Sequence, residues 1–419
     1  MGTNYRDLLG VTAFRNLWVG QAISQLGDSL YYLVFLFMVD RLTGDPRMVG
    51  ITGVAQTLPF LLLSPYAGVV ADRADRRQIL LRADLLSAAT LAAFAFLVWR
   101  NLTPPPWTLI ATGALLSSIN VFFAPAKGAA IPQIVPPGLL PSANALSMAT
   151  QNLMPMIGVA LSGIVLAALY LLSPTYFFLS AILLNALSFA LSALFIRRLP
   201  TLQPERVDTA TVGAAGQGIQ DLRDGFTYLS RQPVLWMMLL LNLLVQLAIS
   251  PFMLVYVQVN RQWFGGGYGT LAACEVSFFV GVVVCSVFIE RLRVSRVGLA
   301  FIGGMAGVGV TVMFMAFSVT VLPFAFWNLI AGLAFPFAQI PMTTYIQRTV
   351  PDAFQGRVNS VLAMTGWGIQ PLGIGLGSLL LAAVGPAWLL VLMGGAMTLA
   401  ALGGLFARPF RAAALPEPV

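Results

Sequence analysis

The sequence predicts an all-α integral membrane protein, with twelve transmembrane helices in two six-helix bundles related by pseudo-two-fold symmetry. Composition is the first reason. Hydrophobic residues make up 58% of the 419 and charged residues only 9%, against about 25% charged in a soluble domain, and the mean hydropathy is +0.85. The second reason is the recurrence of apolar runs of about 20 residues, the length that crosses the hydrocarbon core as a helix. The third is a motif of the first half that returns, at a fixed offset, in the second.

The apolar runs lie near 15–40, 47–70, 79–99, 107–126, 142–171, 174–196, 234–260, 268–289, 297–317, 319–341, 356–383 and 386–406. The run at 142–171 is long enough to tilt or to extend past the bilayer. Basic residues set the orientation. With the N-terminus inside, Arg73, Arg76, Arg77, Arg82, Lys127, Arg197, Arg198, Arg206, Arg223, Arg231, Arg291, Arg293, Arg296, Arg348 and Arg357 all face the cytoplasm. Only Arg41, Arg47, Arg100 and Arg261 then face outward, as the positive-inside rule requires. An even number of spans puts both termini in the cytoplasm, and the expected location is the plasma (bacterial inner) membrane, crossed many times. Met1 to Arg15 has neither the apolar stretch nor the small-residue site of a cleaved signal peptide, so the first helix is expected to act as its own insertion signal.

The longest polar interruption divides the chain into a bundle at 1–198, a cytoplasmic linker at 199–232 and a second bundle at 233–419. Within the linker, Gln217 to Ser230 places Ile219, Leu222, Phe226 and Leu229 on one face, the pattern of a surface amphipathic helix. The halves repeat at an offset of 215 residues: Ile131-x3-Val135-Pro136 with Asn144 matches Ile346-x3-Val350-Pro351 with Asn359. Pro155-x2-Gly158 and Gly163 have a looser echo in Pro371-x-Gly373 and Gly377. An even number of helices between the halves makes this a parallel repeat.

Between the second and third spans stands Gly68-x3-Asp72-Arg73-Ala-Asp75-Arg76-Arg77. Ionised side chains at mid-bilayer cost about 2.5–3.5 kcal/mol each, so this burst of charge is a short aqueous turn. Glu290-Arg291-x-Arg293 occupies the corresponding loop of the second half. The spacing of the first loop resembles the signature of major facilitator transporters, and the whole chain resembles that superfamily. A narrower match, to the drug:proton antiporter branch with macrolide-efflux and enterobactin-exporter-like proteins, rests on several short motifs. These are Phe14-Arg15-Asn16-Leu17-Trp18 with Gln21, Ser24-Gln-Leu-Gly27-Asp28, Leu42-Thr43-Gly44, Leu58-Pro59, Asn144-Ala-Leu146, Asp224-Gly225-Phe-Thr-Tyr-Leu229 and Gly356-Arg357-Val358. Asp75, where the commonest superfamily loop has Gly, suits that branch. The resemblance implies the major facilitator fold and export of a small molecule against proton entry.

Two acids stand inside predicted spans. Asp28 lies near the middle of the first helix, after Gln21, Ser24 and Gln25 at helical spacing. An ionised carboxylate is costly there, so Asp28 is a protonation site, a cavity contact, or a hydrogen-bonded tie beside Gly27. Glu275 stands about two turns into the eighth helix with no basic residue in the membrane to neutralise it, and is the second proton-coupling candidate unless solvent reaches it. Asp84, one turn into the third helix, is expected to pair with a nearby Arg rather than to carry protons. Gln21, Gln25, Tyr32, Gln56, Asn120, Gln151, Asn152, Asn242, Gln246, Tyr256, Asn328, Gln339, Trp367 and Gln370 are candidates for a substrate cavity. Each of the amides could instead make an interhelical hydrogen bond of about 0.6 kcal/mol, and the aromatics could be packing or interfacial belt. Pro125, Pro155, Pro251, Pro336 and Pro371 are placed inside helices, where each permits a kink.

The signature loop is either a set of topology determinants or a gate latch. As a latch it comprises Gly68, Asp72, Arg73, Arg76 and Arg77, with Glu290 and Arg291 as its counterpart. By family analogy, Asp72 then meets the positive N-terminal end of a helix beginning near Gly356-Arg357.

No basic residue falls at the centre of a predicted span, which favours a neutral, cationic or amphipathic substrate over an anionic one. The absence of histidine excludes the usual His-based zinc sites and catalytic triads, so no enzyme, metal or cofactor is expected beyond a proton gradient. Cys274 and Cys285, eleven residues apart on one helix, are about 16 Å apart and too distant for a disulfide. The net charge of +8 lies in loops, which speaks against nucleic acid as a partner. Expected partners are a small-molecule substrate, protons and the lipid bilayer, with the chain monomeric. The leading reading is proton-coupled efflux of hydrophobic or amphipathic small molecules by alternating access. The alternatives are a lipid, lysolipid or siderophore exporter, and a non-transporting membrane receptor or scaffold.

Overall fold

A computed structural model describes residues 5–101, 103–203, 214–288 and 296–414. Its helices are α1 (Tyr5–Gly10), α2 (Thr12–Thr43), α3 (Pro46–Arg73), α4 (Arg76–Arg100), α5 (Pro106–Asn120), α6 (Phe123–Ile134), α7 (Leu140–Leu172) and α8 (Phe177–Ile196). They continue as α9 (Ala214–Arg231), α10 (Pro233–Ile249), α11 (Phe252–Trp263), α12 (Tyr268–Phe288), α13 (Val297–Met315), α14 (Val321–Thr349), α15 (Asp352–Gly403) and α16 (Arg408–Ala412). Among the described residues, ten helical stretches are long and apolar enough to cross a membrane, and Ala273–Phe288 is a shorter apolar one. One of the ten, Ser360–Phe406, holds two spans. They part at Gly385, whose φ of 78° is left-handed backbone that a side chain would strain, with Pro386 starting the last span. The described helices thus accommodate all twelve predicted spans.

The repeat motif sets helix ends. Val135 and Val350 both leave the helix in extended backbone, at ψ 131° and 125°, because the proline that follows each disfavours α geometry in the residue before it. Each valine still donates its N–H to the isoleucine four residues back, at 3.1 and 3.0 Å. Two predicted kinks are instead breaks. Pro251 caps the start of α11 after α10 has ended at Ile249, and Pro125 lies in the first turn of α6 after α5 has ended at Asn120. Proline cannot donate to the preceding turn but costs nothing in the first turn of a new helix. Pro155, Pro336 and Pro371 do lie inside helices.

The chain forms two compact units, Met1–Gly44 with Ala55–Ala215, and Asp45–Val54 with Gly216–Val419. In the first, α8 packs against α2 and α4, and α7 against α2. A core of Leu8, Phe14, Leu17, Leu80, Ala126, Ala130, Ile131 and Ile196 gathers around one end. In the second, α14 packs on α12 and α13, and α15 on α10 and α13. The linker helix α9 spans the predicted amphipathic segment and carries the mixed apolar and charged faces expected of it.

Candidate functional site

The second unit holds a cavity of about 230 Å³. Its polar lining is Asn242 and Gln246 from α10, Tyr256 from α11, Glu275 from α12, and Asn328 and Gln339 from α14. All six were singled out from the sequence, and four helices bring them to one space. Apolar walls come from Phe252, Phe278, Phe279, Phe335, Met305 and Val308, among others. Tyr256, in the second turn of α11, faces both Glu275 and Asn328. Phe252 and Phe324 hold the Tyr256 ring at centroid distances of 4.7 and 5.4 Å. Phe278 and Phe335 meet at 6.0 Å. Glu275 is partly accessible, whereas Asn328 and Tyr256 are buried. A single carboxylate among amides, one phenol and aromatic faces is a surface for an amphipathic ligand with a hydrogen-bonding or cationic group. Gln370 is partly buried on α15 away from this lining.

The first unit arranges its acids differently. Asp28 faces Asn185 of α8. Gly27 allows α2 to lie this close, since a Cβ there would come within 2.8 Å of the Ser188 Cβ. Ser188 donates to the carbonyl and the side-chain oxygen of Asn185 at 2.8 and 2.9 Å. Asp84 corrects the sequence expectation. It is 1% exposed, turned toward Ser192 of α8 and within electrostatic range of Asp28, and among the described residues no arginine pairs with it. The neighbouring Arg82 instead bonds Gln78 at 3.1 Å, out on the exposed face of α4. Helical geometry explains the miss: Arg82 and Asp84 are two residues apart and so point to different sides.

A second correction concerns Lys127. The fourth span does not stop near residue 126, because helix resumes at Phe123 and runs as α6 to Ile134; Lys127 is therefore inside α6 and 5% exposed. The other first-unit candidates scatter. Gln21 is buried, Gln25 and Asn120 are partly buried, and Gln151 and Tyr32 are exposed. Gln56 lies against Gly113 of α5, where its amide nitrogen is buried.

The signature loop is tied to its own unit. Asp75 caps α4 by accepting from the Arg77 N–H at 3.0 Å and also accepts from the Leu202 N–H at 3.1 Å. The Arg76 N–H donates to the Leu202 carbonyl, its side chain to the Ala71 carbonyl, and the Arg77 side chain to the Arg197 carbonyl. Arg73 is exposed and a methyl group at Gly68 would meet nothing within 4 Å. The capping role of Asp75 was legible in principle, as an Asp just ahead of a helical run. Glu290 and Arg291 lie outside the described residues, as do the side chains of Asp72, Asn152 and Trp367. Gly356 and Arg357 stand near the start of α15, where Arg357 pairs with Asp224 of α9 at 3.6 Å and lies over the Phe354 ring. Tyr228 stacks on that ring at 4.9 Å, and Gly225 lets α9 touch the Arg357 carbonyl.

Apolar spanning helices, an internal parallel repeat and a buried polar cavity define a multi-pass transporter-type membrane protein. The particular family is settled by comparison. The family model for the Major Facilitator Superfamily matches residues 17–370, and the chain belongs to that superfamily of transporters. It is 26% identical over 381 residues to the MFS-type transporter YfiS of Bacillus subtilis (strain 168), covering 86% of this chain and 87% of that one. It is 23% identical over 369 residues to macrolide efflux protein A of Streptococcus pyogenes, covering 87% and 88%. Among solved structures, a bacterial homologue of the iron transporter ferroportin in an inward-facing state is similar in fold. Its TM-score is 0.70 at 16% identity, over 96% of this chain and 99% of that one. The nucleoside transporter NupG gives 0.67 at 14% identity, over 94% and 98%.

Proposed function

We propose that this transporter exports hydrophobic or amphipathic small molecules in exchange for protons, by alternating access across the bacterial inner membrane. Both termini are then cytoplasmic and the monomer is the working unit. The observation that carries this reading is Glu275 in its cavity of aromatic rings and amides. Protonated, Glu275 leaves the cavity neutral and apolar; ionised, it attracts a cationic or strongly hydrogen-bonding cargo. Cargo and proton thus bind in alternation, which is the requirement of an antiporter. Asp28 is the matching proton-coupling residue of the first unit. The low-identity relationship to macrolide efflux protein A supports export of a large, amphipathic cargo. The signature loop, with Gly356 and Arg357, is proposed as the gate, and its hydrogen bonds to the 197–202 segment support a rigid loop that moves with its own unit.

Proteoliposomes loaded with dyes, macrolides, siderophores or lysolipids, with and without a pH gradient, test the proposal. Gradient-driven efflux of at least one amphipathic compound is expected. Glu275→Gln should lower it by about a hundredfold while leaving the binding of neutral cargo in place. Undiminished efflux in that variant would remove Glu275 as the coupling site.

A further inference from the structure

We propose that Asp84 is the second carboxylate of the first unit's proton site, and that Asp28 and Asp84 hold one proton between them across the polar stripe of α8. This rests on the proton-coupled reading above and adds to it a residue, a path and a proton count.

The geometry points to this from three sides. Asn185, Ser188 and Ser192 stand at i, i+3 and i+7 of α8, so they share one face. Asp28 reaches that face from α2 at Asn185, and Asp84 reaches it from α4 at Ser192. Gly20 and Gly27 of α2 both lie against the serines of the stripe. The polar groups there are buried and incompletely satisfied. Asp84 Oδ2, the Ser192 and Ser87 hydroxyls and the Asn185 amide nitrogen make no hydrogen bond of standard geometry among the described residues. Asn185, Ser192 and Ser87 are 0% exposed. Buried polar atoms left open in this way are what a mobile proton, or a bridging water, would use.

The charged and titratable surroundings favour one proton rather than two or none. Among the described residues, Asp28 and Asp84 face only each other and the Tyr31 phenol on α2. The stripe of α8 is uncharged, and α5 and α7, both packed on α2, carry no charged side chain; α1, packed at the start of α2, carries Arg6 and Asp7. Lys127 on α6, which packs on α4, makes no electrostatic contact with either acid among the described residues. Two carboxylates with no cation between them repel when both are ionised, and the first proton bound relieves that repulsion. The transfer balances simply. The O–H bond at Asp28 breaks, a bridging water takes that proton and passes its own to the Ser192 hydroxyl, and Ser192 passes its own to Asp84, where a new O–H bond forms. No oxidant, reductant or further reactant is needed.

Full-length protein in proteoliposomes tests the site through proton flux measured alongside efflux. Asp84→Asn is expected to lower gradient-driven efflux by about tenfold or more, to spare cargo exchange at equal pH, and to be rescued by Asp84→Glu. Because the two acids act as one site, the Asp28→Asn, Asp84→Asn double variant should lose no more protons per cargo than either single variant. Ser192→Ala, which keeps the packing, should slow proton exchange even if Asp84→Asn folds poorly. Additive proton losses, or an unchanged proton count in both Asp84→Asn and Ser192→Ala, would overturn the proposal. If Glu275→Gln abolishes coupling while these variants do not, the relay is wrong and the exporter reading stands. If Glu275→Gln has no effect and Asp84→Asn does, the cavity assignment fails and the relay stands.

Discussion

The two units carry the acids inside their spans in opposite settings. In the first, Asp28 and Asp84 are pressed against a close-packed helix, with α2 admitted to contact by Gly20 and Gly27. In the second, Glu275 looks into about 230 Å³ of space walled by phenylalanines and amides. Both units end a helix with the same Ile-x3-Val-Pro device, at Val135 and at Val350. A shared backbone plan has thus been filled with two chemistries. On the reading proposed here, the packed unit holds the proton and the hollow one holds the cargo.

Volume changes should separate these roles. Gly27→Leu adds bulk where α2 touches Ser188 and Asn185, and should destabilise the fold by about 1–3 kcal/mol, read as a lower unfolding temperature in detergent. Normal stability in that variant would mean that the contact between α2 and α8 is looser than described. Phe335→Ala removes bulk from the cavity wall. It should weaken binding of aromatic cargo by about tenfold, measured by fluorescence titration, and a loss of stability without a loss of affinity would make the cavity a mere packing defect. Asp75→Ala touches neither acid. It removes the cap of α4 and the tie to Leu202, and should cost about 1 kcal/mol of stability with cargo affinity unchanged.

Much of this was legible in the sequence, for physical reasons. Hydrocarbon tolerates few charges, so long apolar runs marked all twelve spans, and the Val-Pro pairs marked two helix ends. Five of the six polar residues of the cavity were visible because amides and acids are conspicuous in apolar helices. What stayed hidden depends on rotation and packing. Asp84 was expected to pair with a nearby Arg, although the helix turns it away from Arg82, two residues before it. Lys127 was placed in a loop because the apolar run fades before the helix does. Among the polar candidates, sequence could not separate Asn242 and Asn328, which meet in the cavity, from Gln151, which is exposed. That distinction exists only once the helices are packed.

The central claim is that cargo and proton alternate at Glu275. It is tested most directly by proton release from purified protein in weakly buffered detergent as cationic cargo is added. The account predicts release on binding in the unsubstituted protein and a loss of that component in Glu275→Gln. Equal release from both would contradict it.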